Sequence, residues 1–165
     1  MAQLGARLNG IQKVVGSNPT GSIHLFLTML SEQQRKAETA RVKVEARALE
    51  LGATFNRPSV EGTRYDCVLD IEGKLYRAQI KYCNCLAAHA SGAITVRLRS
   101  NVGQGAARCY SKDEVDALLV YIPSIDKICF FPQEVFCGKT GINIRLEPAR
   151  NGQRKGCLLA RDFFW

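Results

Sequence analysis

Residues 65–81 read YDCVLDIEGKLYRAQIK, and this stretch decides the fold of the chain. Two runs rich in apolar and aromatic residues, 65–71 and 74–81, are separated by Glu72 and Gly73. A two-residue connection that ends in glycine is typical of a tight β-hairpin. The sequence therefore predicts two antiparallel strands joined by a turn at these two residues.

The predicted turn also sets the pairing of the strands. If Glu72 and Gly73 form the turn, Asp66 lies directly opposite Gln79, and opposed residues share a face with Cβ atoms about 5 Å apart. Lys81, two residues beyond Gln79, points to the same face, whereas a slip of one residue would scatter all three side chains. The other face carries the side chains expected in the core: Tyr65, Cys67, Leu69, Ile71, Tyr76, Ala78 and Ile80.

A helix is expected before the hairpin, over residues 31–51. Ser31 can cap its first turn and Gly52 is a natural stop. Apolar residues recur within it at helical spacing: Ala37, Ala40, Val44, Ala48 and Leu51.

The pattern after the hairpin predicts further strands at residues 93–99, 117–122, 127–131 and 142–146 and a short helix at 132–136. Residues 53–58 are expected to be extended. The unbroken apolar run 117–122 indicates a strand buried on both faces. This order of elements suits a single α/β domain with a mixed β-sheet flanked by helices.

Composition narrows the class of protein. The chain has 165 residues, of which 46% are hydrophobic and 23% charged, so a disordered chain is excluded. Its 23 Lys and Arg against 15 Asp and Glu give a formal charge of +8, which favours a polyanionic partner. The apolar run near Leu25 is too short to span a membrane and has no signal-peptide cleavage site after it. Seven cysteines form no evident disulfide framework, which favours a reducing compartment. With no signal peptide or transmembrane segment recognised, the expected location is cytoplasmic and nucleoid-associated.

The first 28 residues are expected to be a non-native or disordered extension. They hold four glycines, no acidic residue and no sustained period. Residues 2–7 can be encoded by a tRNA D arm, residues 8–12 by an anticodon stem, and residues 16–19 by a T arm, in that order. We therefore expect that the segment translates an adjacent tRNA gene, that Met29 is the true start, and that 29–165 is the domain. The alternative is a flexible arm that touches the DNA backbone.

Asp66, followed thirteen residues later by Gln79-Ile80-Lys81, resembles the motif of the PD-(D/E)XK nuclease superfamily. Over about residues 31–131 the resemblance is to the group I intron-associated homing endonucleases of this superfamily, which use a Q-X-K variant. Other stretches that resemble this branch are NRP at 56–58, RYD at 64–66, LYR at 75–77, DEVDALLVYIP at 113–123 and NGQRKGC at 151–157. The resemblance implies a restriction-endonuclease-like α/β fold.

The chemistry of the three residues agrees with that resemblance. Phosphodiester hydrolysis needs an activated water and charge neutralisation at phosphorus, and a hard cation held by oxygen ligands supplies both. Asp66 offers a carboxylate and Gln79 a neutral oxygen, while the family implies the Ile80 carbonyl as a third ligand. Lys81 can orient the water or stabilise the phosphate transition state. The expected cofactor is Mg²⁺ or Mn²⁺.

Two departures from the family pattern leave questions open. Gln79 replaces the usual second acid, which removes one negative charge and puts a strict two-metal mechanism in doubt. The helix acid of relatives falls at Arg41 here, and Glu38 and Glu45 each lie about one turn away. Glu38 is preferred, because residues 35–38 look more like the start of the family's helix.

The leading prediction is thus a metal-dependent, site-specific endonuclease for double-stranded DNA. It would act as a homodimer or homotetramer, because one small domain carries one active site and a double-strand break needs two. Basic residues are expected to meet phosphates, among them Arg97, Arg99, Arg154 and Lys155.

Other interpretations remain open. The fold also suits a Holliday-junction resolvase, and the departures at Gln79 and Arg41 suit an inactive DNA-binding module. The three site residues could simply be a solvated hairpin face. A zinc site can also be considered, built from Cys83, Cys85, Cys109 and His89. These residues lack zinc-ligand spacing, so the cysteines are expected to be loosely buried thiols.

Overall fold

The computed structural model describes residues 30–60, 62–84, 92–99, 108–148 and 158–165. The predicted extension 1–28 lies outside these residues, as do Met29, Cys85, His89, Arg154 and Lys155. The chain divides into two compact units, Met1–Arg35 and Lys36–Trp165. Within the described residues no helix is long and apolar enough to cross a membrane.

Helix α1 spans Glu32–Glu50, close to the predicted bounds. It begins with a reciprocal capping box: the Ser31 hydroxyl accepts from the backbone N–H of Gln34 (3.2 Å), and the Gln34 side chain accepts from the N–H of Ser31 (2.9 Å). It ends at Gly52, whose φ of 73° is the left-handed conformation common after a helix. The helix buries Ala40, Val44 and Ala48.

The hairpin has the predicted register. Strand β1 is Thr54–Asn56, β2 is Cys67–Ile71 and β3 is Lys74–Tyr82. Cys67 pairs with Ala78 and Ile71 with Lys74, as the turn requires. Both turn residues, Glu72 and Gly73, have positive φ (52° and 80°), which a type I′ connection needs.

The hairpin belongs to a five-stranded mixed sheet in the order β1-β2-β3-β5-β6. Strand β5 is Ala117–Ile122 and β6 is Lys127–Pro132. Strand β3 runs parallel to β5, and the other neighbours are antiparallel. All six residues of β5 are buried, which confirms the prediction from its apolar run.

A second, three-stranded sheet holds the remaining strands in the order β4-β7-β8. They are β4 (Ala93–Arg97), β7 (Gly141–Arg145) and β8 (Leu158–Leu159). The predicted short helix is present as α2, Gln133–Phe136, and a 3-10 turn covers Ala160–Phe163. The sequence predicted the strands now seen as β4 and β7 but not that they form a sheet of their own, because pairing between distant strands leaves no local pattern.

The five-stranded sheet therefore has a different cover on each face. On one face α1 packs over a core that includes Cys67, Leu69, Ala78 and Ile80. On the other, the second sheet encloses a larger core. The members of that core from both sheets include Leu118, Val120, Ile122, Phe131, Ile94, Val96, Leu98, Ile142 and Ile144. The alternation of side chains along β3 thus points neighbouring residues into different environments.

Candidate active site

The hairpin brings Asp66 and Gln79 into direct contact. The Asp66 Oδ2 atom accepts a hydrogen bond from the backbone N–H of Ile80 at 2.8 Å and another from the side-chain amide of Gln79. The N–H of Asp66 donates to the carbonyl of Ala78 (2.9 Å), although Ala78 is the partner of Cys67, where the ladder between β2 and β3 ends. Asp66 therefore lies just outside the regular ladder, and its carboxylate reaches across to Gln79 and Ile80.

The two residues differ in their exposure. Gln79 is 8% exposed and is the one buried polar side chain among the described residues. Asp66 as a whole residue is exposed to solvent, while its Oδ2 atom is partly covered by Gln79 and Ile80. Desolvation raises the pKa of Asp66 above its ordinary value, and the Ile80 N–H and the charge of Lys81 act against that rise. Asp66 is thus a partly desolvated carboxylate whose negative charge the protein compensates only in part.

Lys81 lies on the same side of the sheet as Gln79. In the parallel ladder with β5, Gln79 pairs with Leu118 and Lys81 with Val120, and both partners belong to the core between the sheets. The ammonium of Lys81 is 5.8 Å from the centre of the Tyr110 ring. Ile80, between them, packs into the core under α1 instead. The alternation predicted from the sequence is therefore the one observed.

The donor set suits a hard cation. The Asp66 carboxylate, the Gln79 amide and the Ile80 main chain can all offer oxygen, the element that Mg²⁺ prefers. Gln79 turns its nitrogen towards Asp66 here, and rotation of the amide by half a turn presents the oxygen instead. In the described part of the chain no three His, Cys, Asp or Glu side chains cluster closely enough to hold a metal. With one carboxylate, the residues fit a single divalent ion better than a pair.

The two candidate helix acids are both engaged elsewhere. Arg41 donates to Glu38 through Nε (2.9 Å) and to Glu45 through a terminal nitrogen (2.9 Å). The hydrogen bond to Glu38 raises the pKa of Arg41, opposed by desolvation. Because α1 covers the Ile80 face, these acids lie on the helix that packs opposite Lys81. Within the described residues, the contacts of Glu38 are with Arg41 and not with the Asp66 site.

The predicted DNA-contacting arginines that the structure describes are exposed. Arg97 ends β4 opposite Gly141, and Arg99 follows two residues later. On the same outward side Thr95 donates a hydrogen bond to Asn143 at 2.7 Å. This outer surface of the second sheet is polar and basic, which suits contact with a polyanion.

The cysteines behave as ordinary thiols where the structure describes them. Cys83 is buried and its Sγ donates to the carbonyl of Thr95 (3.3 Å), and Cys109 is free. Burial raises the pKa of Cys67 and of Cys129 to about 12, so both stay protonated and unreactive.

Two contacts near the site were missing from the sequence analysis. Arg77, on the same strand face as Gln79, forms a forked ion pair with Asp116 through Nε–Oδ2 and NH2–Oδ1, each 2.9 Å. Tyr110 faces both Lys81 and Arg64. Each contact joins residues far apart along the chain, so no local spacing could have revealed it.

Comparison with known proteins bears on the family and the fold of the chain. A family model described as PD-(D/E)XK endonuclease matches residues 31–164. Among solved structures, the bacterial homing endonuclease I-Ssp6803I aligns with a TM-score of 0.65 and 23% identity, over 81% of this chain and 89% of that one. That likeness shows a restriction-endonuclease-like α/β fold, as predicted. No curated protein sequence matches the chain. The family match covers most of the chain, which therefore belongs to the PD-(D/E)XK endonuclease family.

Proposed function

We propose that this nuclease is a Mg²⁺- or Mn²⁺-dependent, site-specific endonuclease for double-stranded DNA, similar in role to intron-encoded homing enzymes. The observation that carries the proposal is the contact of the Asp66 carboxylate with the Gln79 side chain and the Ile80 N–H, with Lys81 on the same face. The family of the chain and its likeness in fold to a homing endonuclease support it.

The reaction is phosphodiester hydrolysis. A water oxygen bonds to phosphorus, the bond from phosphorus to the leaving deoxyribose oxygen breaks, and the proton lost by the water is balanced by one gained by the leaving oxygen. A bound divalent ion would supply a Lewis acid that neutralises charge at the phosphate and makes the water easier to deprotonate. Asp66, Gln79 and the Ile80 carbonyl are the residues that would hold it.

Lys81 has the role that most depends on geometry. It shares a strand face with Gln79, and its charge acts against the rise in the pKa of Asp66. From this place it would donate hydrogen bonds to the attacking water or to the phosphate oxygens as negative charge develops on them. Glu38 is the proposed helix acid, and that role requires its release from Arg41.

Binding of DNA would rest on the basic surface. The formal charge of +8 favours phosphate contacts, and the exposed Arg97 and Arg99 are available for them. Arg154 and Lys155 are proposed for the same role on the basis of the sequence. Cleavage of both strands would need two copies of the active site, hence the proposed homodimer or homotetramer.

The proposal is tested by nicking, with purified protein and Mg²⁺, of supercoiled plasmid that carries the DNA flanking the gene. We expect Asp66→Ala and Lys81→Ala each to lower the cleavage rate by roughly 1,000-fold, because each removes a group that acts on the transition state. The matched controls are Asp70→Ala and Lys74→Ala, since Asp70 accepts from the Gly73 N–H at the hairpin tip and Lys74 lies beside it. These controls should cleave like the parent protein.

Each other outcome selects a different interpretation. Cleavage unaffected by both site substitutions would mean that the proposed site is wrong. Absence of cleavage by the parent protein would favour the inactive DNA-binding module. Preference for four-way junctions over linear duplex would favour the Holliday-junction resolvase. If an intron surrounds the gene, site specificity is tested by mapping cuts on DNA that spans the intron-free insertion locus, where a single position is expected. The oligomeric state is tested by analytical ultracentrifugation.

A further inference from the structure

We propose that Tyr110 is a positioning residue for Lys81, holding the lysine ammonium at the site through the face of its aromatic ring. This inference rests on the proposed function, because it assigns a task to Lys81 in cleavage. It concerns a residue outside the motif, twenty-nine positions further along the chain.

The contact has the geometry of a cation–π interaction. The Lys81 Nζ atom is 5.8 Å from the centre of the Tyr110 ring, and such contacts act within about 6 Å. In the described part of the chain no carboxylate lies within ion-pair distance of Lys81. Among the described residues, the Tyr110 ring is therefore the group placed to orient the Lys81 side chain, which has four rotatable bonds and otherwise samples many rotamers.

Tyr110 is itself held firmly. It is 3% exposed and belongs to the core between the two sheets. Its ring packs edge-on against Phe136, with centres 6.4 Å apart and planes at 76°. Its carbonyl accepts a hydrogen bond from the N–H of Gly138 at 2.9 Å. A ring fixed from the core side can hold a flexible lysine, because the lysine moves to the ring and not the reverse.

A second cation shares the ring. The Arg64 guanidinium carbon is 5.1 Å from the ring centre. Its charge is offset in part by Glu114, whose Oε1 lies 3.4 Å from Arg64 Nε and 2.8 Å from a terminal nitrogen of Arg108. Glu114 therefore limits the repulsion between Arg64 and Lys81. Because Arg64 precedes Asp66 by two residues, the ring joins the segment that carries the carboxylate to the strand that carries the lysine.

The test separates the electronic role of the ring from its bulk. Fluorine withdraws electron density from an aromatic face and weakens its attraction for a cation while nearly preserving its shape. Tyr110 is replaced by phenylalanine and by phenylalanines with one, two and three ring fluorines, and single-turnover cleavage is measured at saturating Mg²⁺ and duplex. We expect Tyr110→Phe to cleave within about 2-fold of the parent and the trifluoro form to be about 10-fold slower, because the fluorinated ring attracts the Lys81 ammonium less strongly.

The chain offers a matched control. Lys74 Nζ lies 4.8 Å from the centre of the Tyr76 ring, at the tip of the same hairpin and away from the site. The same fluorinated series at Tyr76 should leave the cleavage rate unchanged. Binding of uncleaved duplex without divalent ion, followed by fluorescence anisotropy, should not change in either series. The cleavage rate of Tyr110→Leu should fall at least as far as that of the trifluoro form. The melting temperature of this variant shows whether it folds.

The failure of this inference is distinct from failure of the proposed function. If the parent protein cleaves and the series at Tyr110 is flat, the inference is wrong and the nuclease assignment stands. If the parent protein does not cleave, proton NMR still decides the contact: the Lys81 ε-methylene signal should be shifted upfield by the ring, stay so in Tyr110→Phe and lose the shift in Tyr110→Leu. An unshifted signal in the parent protein would overturn the inference.

Discussion

The two faces of strand β3 show how one short segment serves two purposes. The face that carries Ala78 and Ile80 lies under α1 and is mostly apolar, with Lys74 at the hairpin tip. The face that carries Arg77, Gln79 and Lys81 is polar, and each of the three side chains has a different partner: Asp116, Asp66 and Tyr110 respectively.

The difference teaches that stability and chemistry are separated by alternation alone. A buried apolar face gains free energy in proportion to the area removed from water, without regard to detailed geometry. A buried polar face is stable only when each group finds a partner, so every partner on that face is specific. Substitutions on the helix face should therefore lower only the stability of the fold, whereas those on the site face should also change a specific polar contact.

The largest effect is expected from Leu69→Ala. Leu69 in β2 is 0% exposed in the core under α1, and truncation of such a residue costs about 2–5 kcal/mol. Its neighbour Val68 points to the site face and is half-buried, so Val68→Ala should cost about 1 kcal/mol or less. Urea unfolding measures both. Equal losses would mean that the two faces do not differ as described.

Gln79→Glu should have the next largest effect. The new carboxylate would face Asp66 at a site where Gln79 is 8% exposed, and two such charges repel, so the metal-free protein should lose about 2–3 kcal/mol at neutral pH. Mg²⁺ should restore much of the loss by binding to the folded state, and cleavage should change without being abolished.

The measurement for Gln79→Glu is thermal unfolding with and without Mg²⁺. Asn143→Asp, the same chemical change on the exposed outer face of the second sheet, is its control. Its melting temperature should match that of the parent protein both with and without Mg²⁺. A melting temperature that is independent of Mg²⁺ in Gln79→Glu would count against a metal site at this position.

Arg77→Gln should have a smaller effect that depends on pH. Loss of the forked pair with Asp116 should cost about 1–2 kcal/mol at pH 7, since both side chains are partly exposed. The Arg77 side chain lowers the pKa of Asp116 below its ordinary 3.8, so the stabilisation is present above that value and is lost as the pH falls through the folded-state pKa.

The difference in unfolding free energy between Arg77→Gln and the parent should therefore shrink below pH 3.8. Urea unfolding across this pH range tests it. Arg161→Gln is the control, because Arg161 is 63% exposed and its contact with Asp162 is long, at 3.8 Å. This substitution should leave the unfolding free energy unchanged across the pH range. A difference that stays constant with pH would exclude Asp116 as the group responsible.

The smallest change in stability is expected on α1. Glu38→Gln and Glu45→Gln each remove one exposed partner of Arg41 and should cost at most about 0.5 kcal/mol. Cleavage separates them: Glu38→Gln should be slower if Glu38 is the helix acid, and Glu45→Gln should match the parent. The reverse order would transfer the role to Glu45.

Much of the fold was predictable because its information is local. The register of the hairpin followed from Glu72 and Gly73, since a two-residue turn allows only one pairing of the two strands. The limits of α1 followed from Ser31 and Gly52. Ser31 accepts a hydrogen bond from a backbone N–H of the first turn, and Gly52 adopts the left-handed conformation that ends the helix, so both signals are local. The complete burial of β5 followed from its uniform apolar run.

What the sequence by itself determined is thus the side of the hairpin on which Asp66, Gln79 and Lys81 meet, because strand alternation and a tight turn need no distant partner. The tertiary structure alone decided that Lys81 lies over the Tyr110 ring and that Arg77 donates hydrogen bonds to Asp116. It likewise decided that Arg41 donates to Glu38 and Glu45 at the same time. It also decided that β4 and β7 form a separate sheet. These arrangements depend on how whole elements pack, and packing is set by the summed fit of many side chains and not by the spacing of a few.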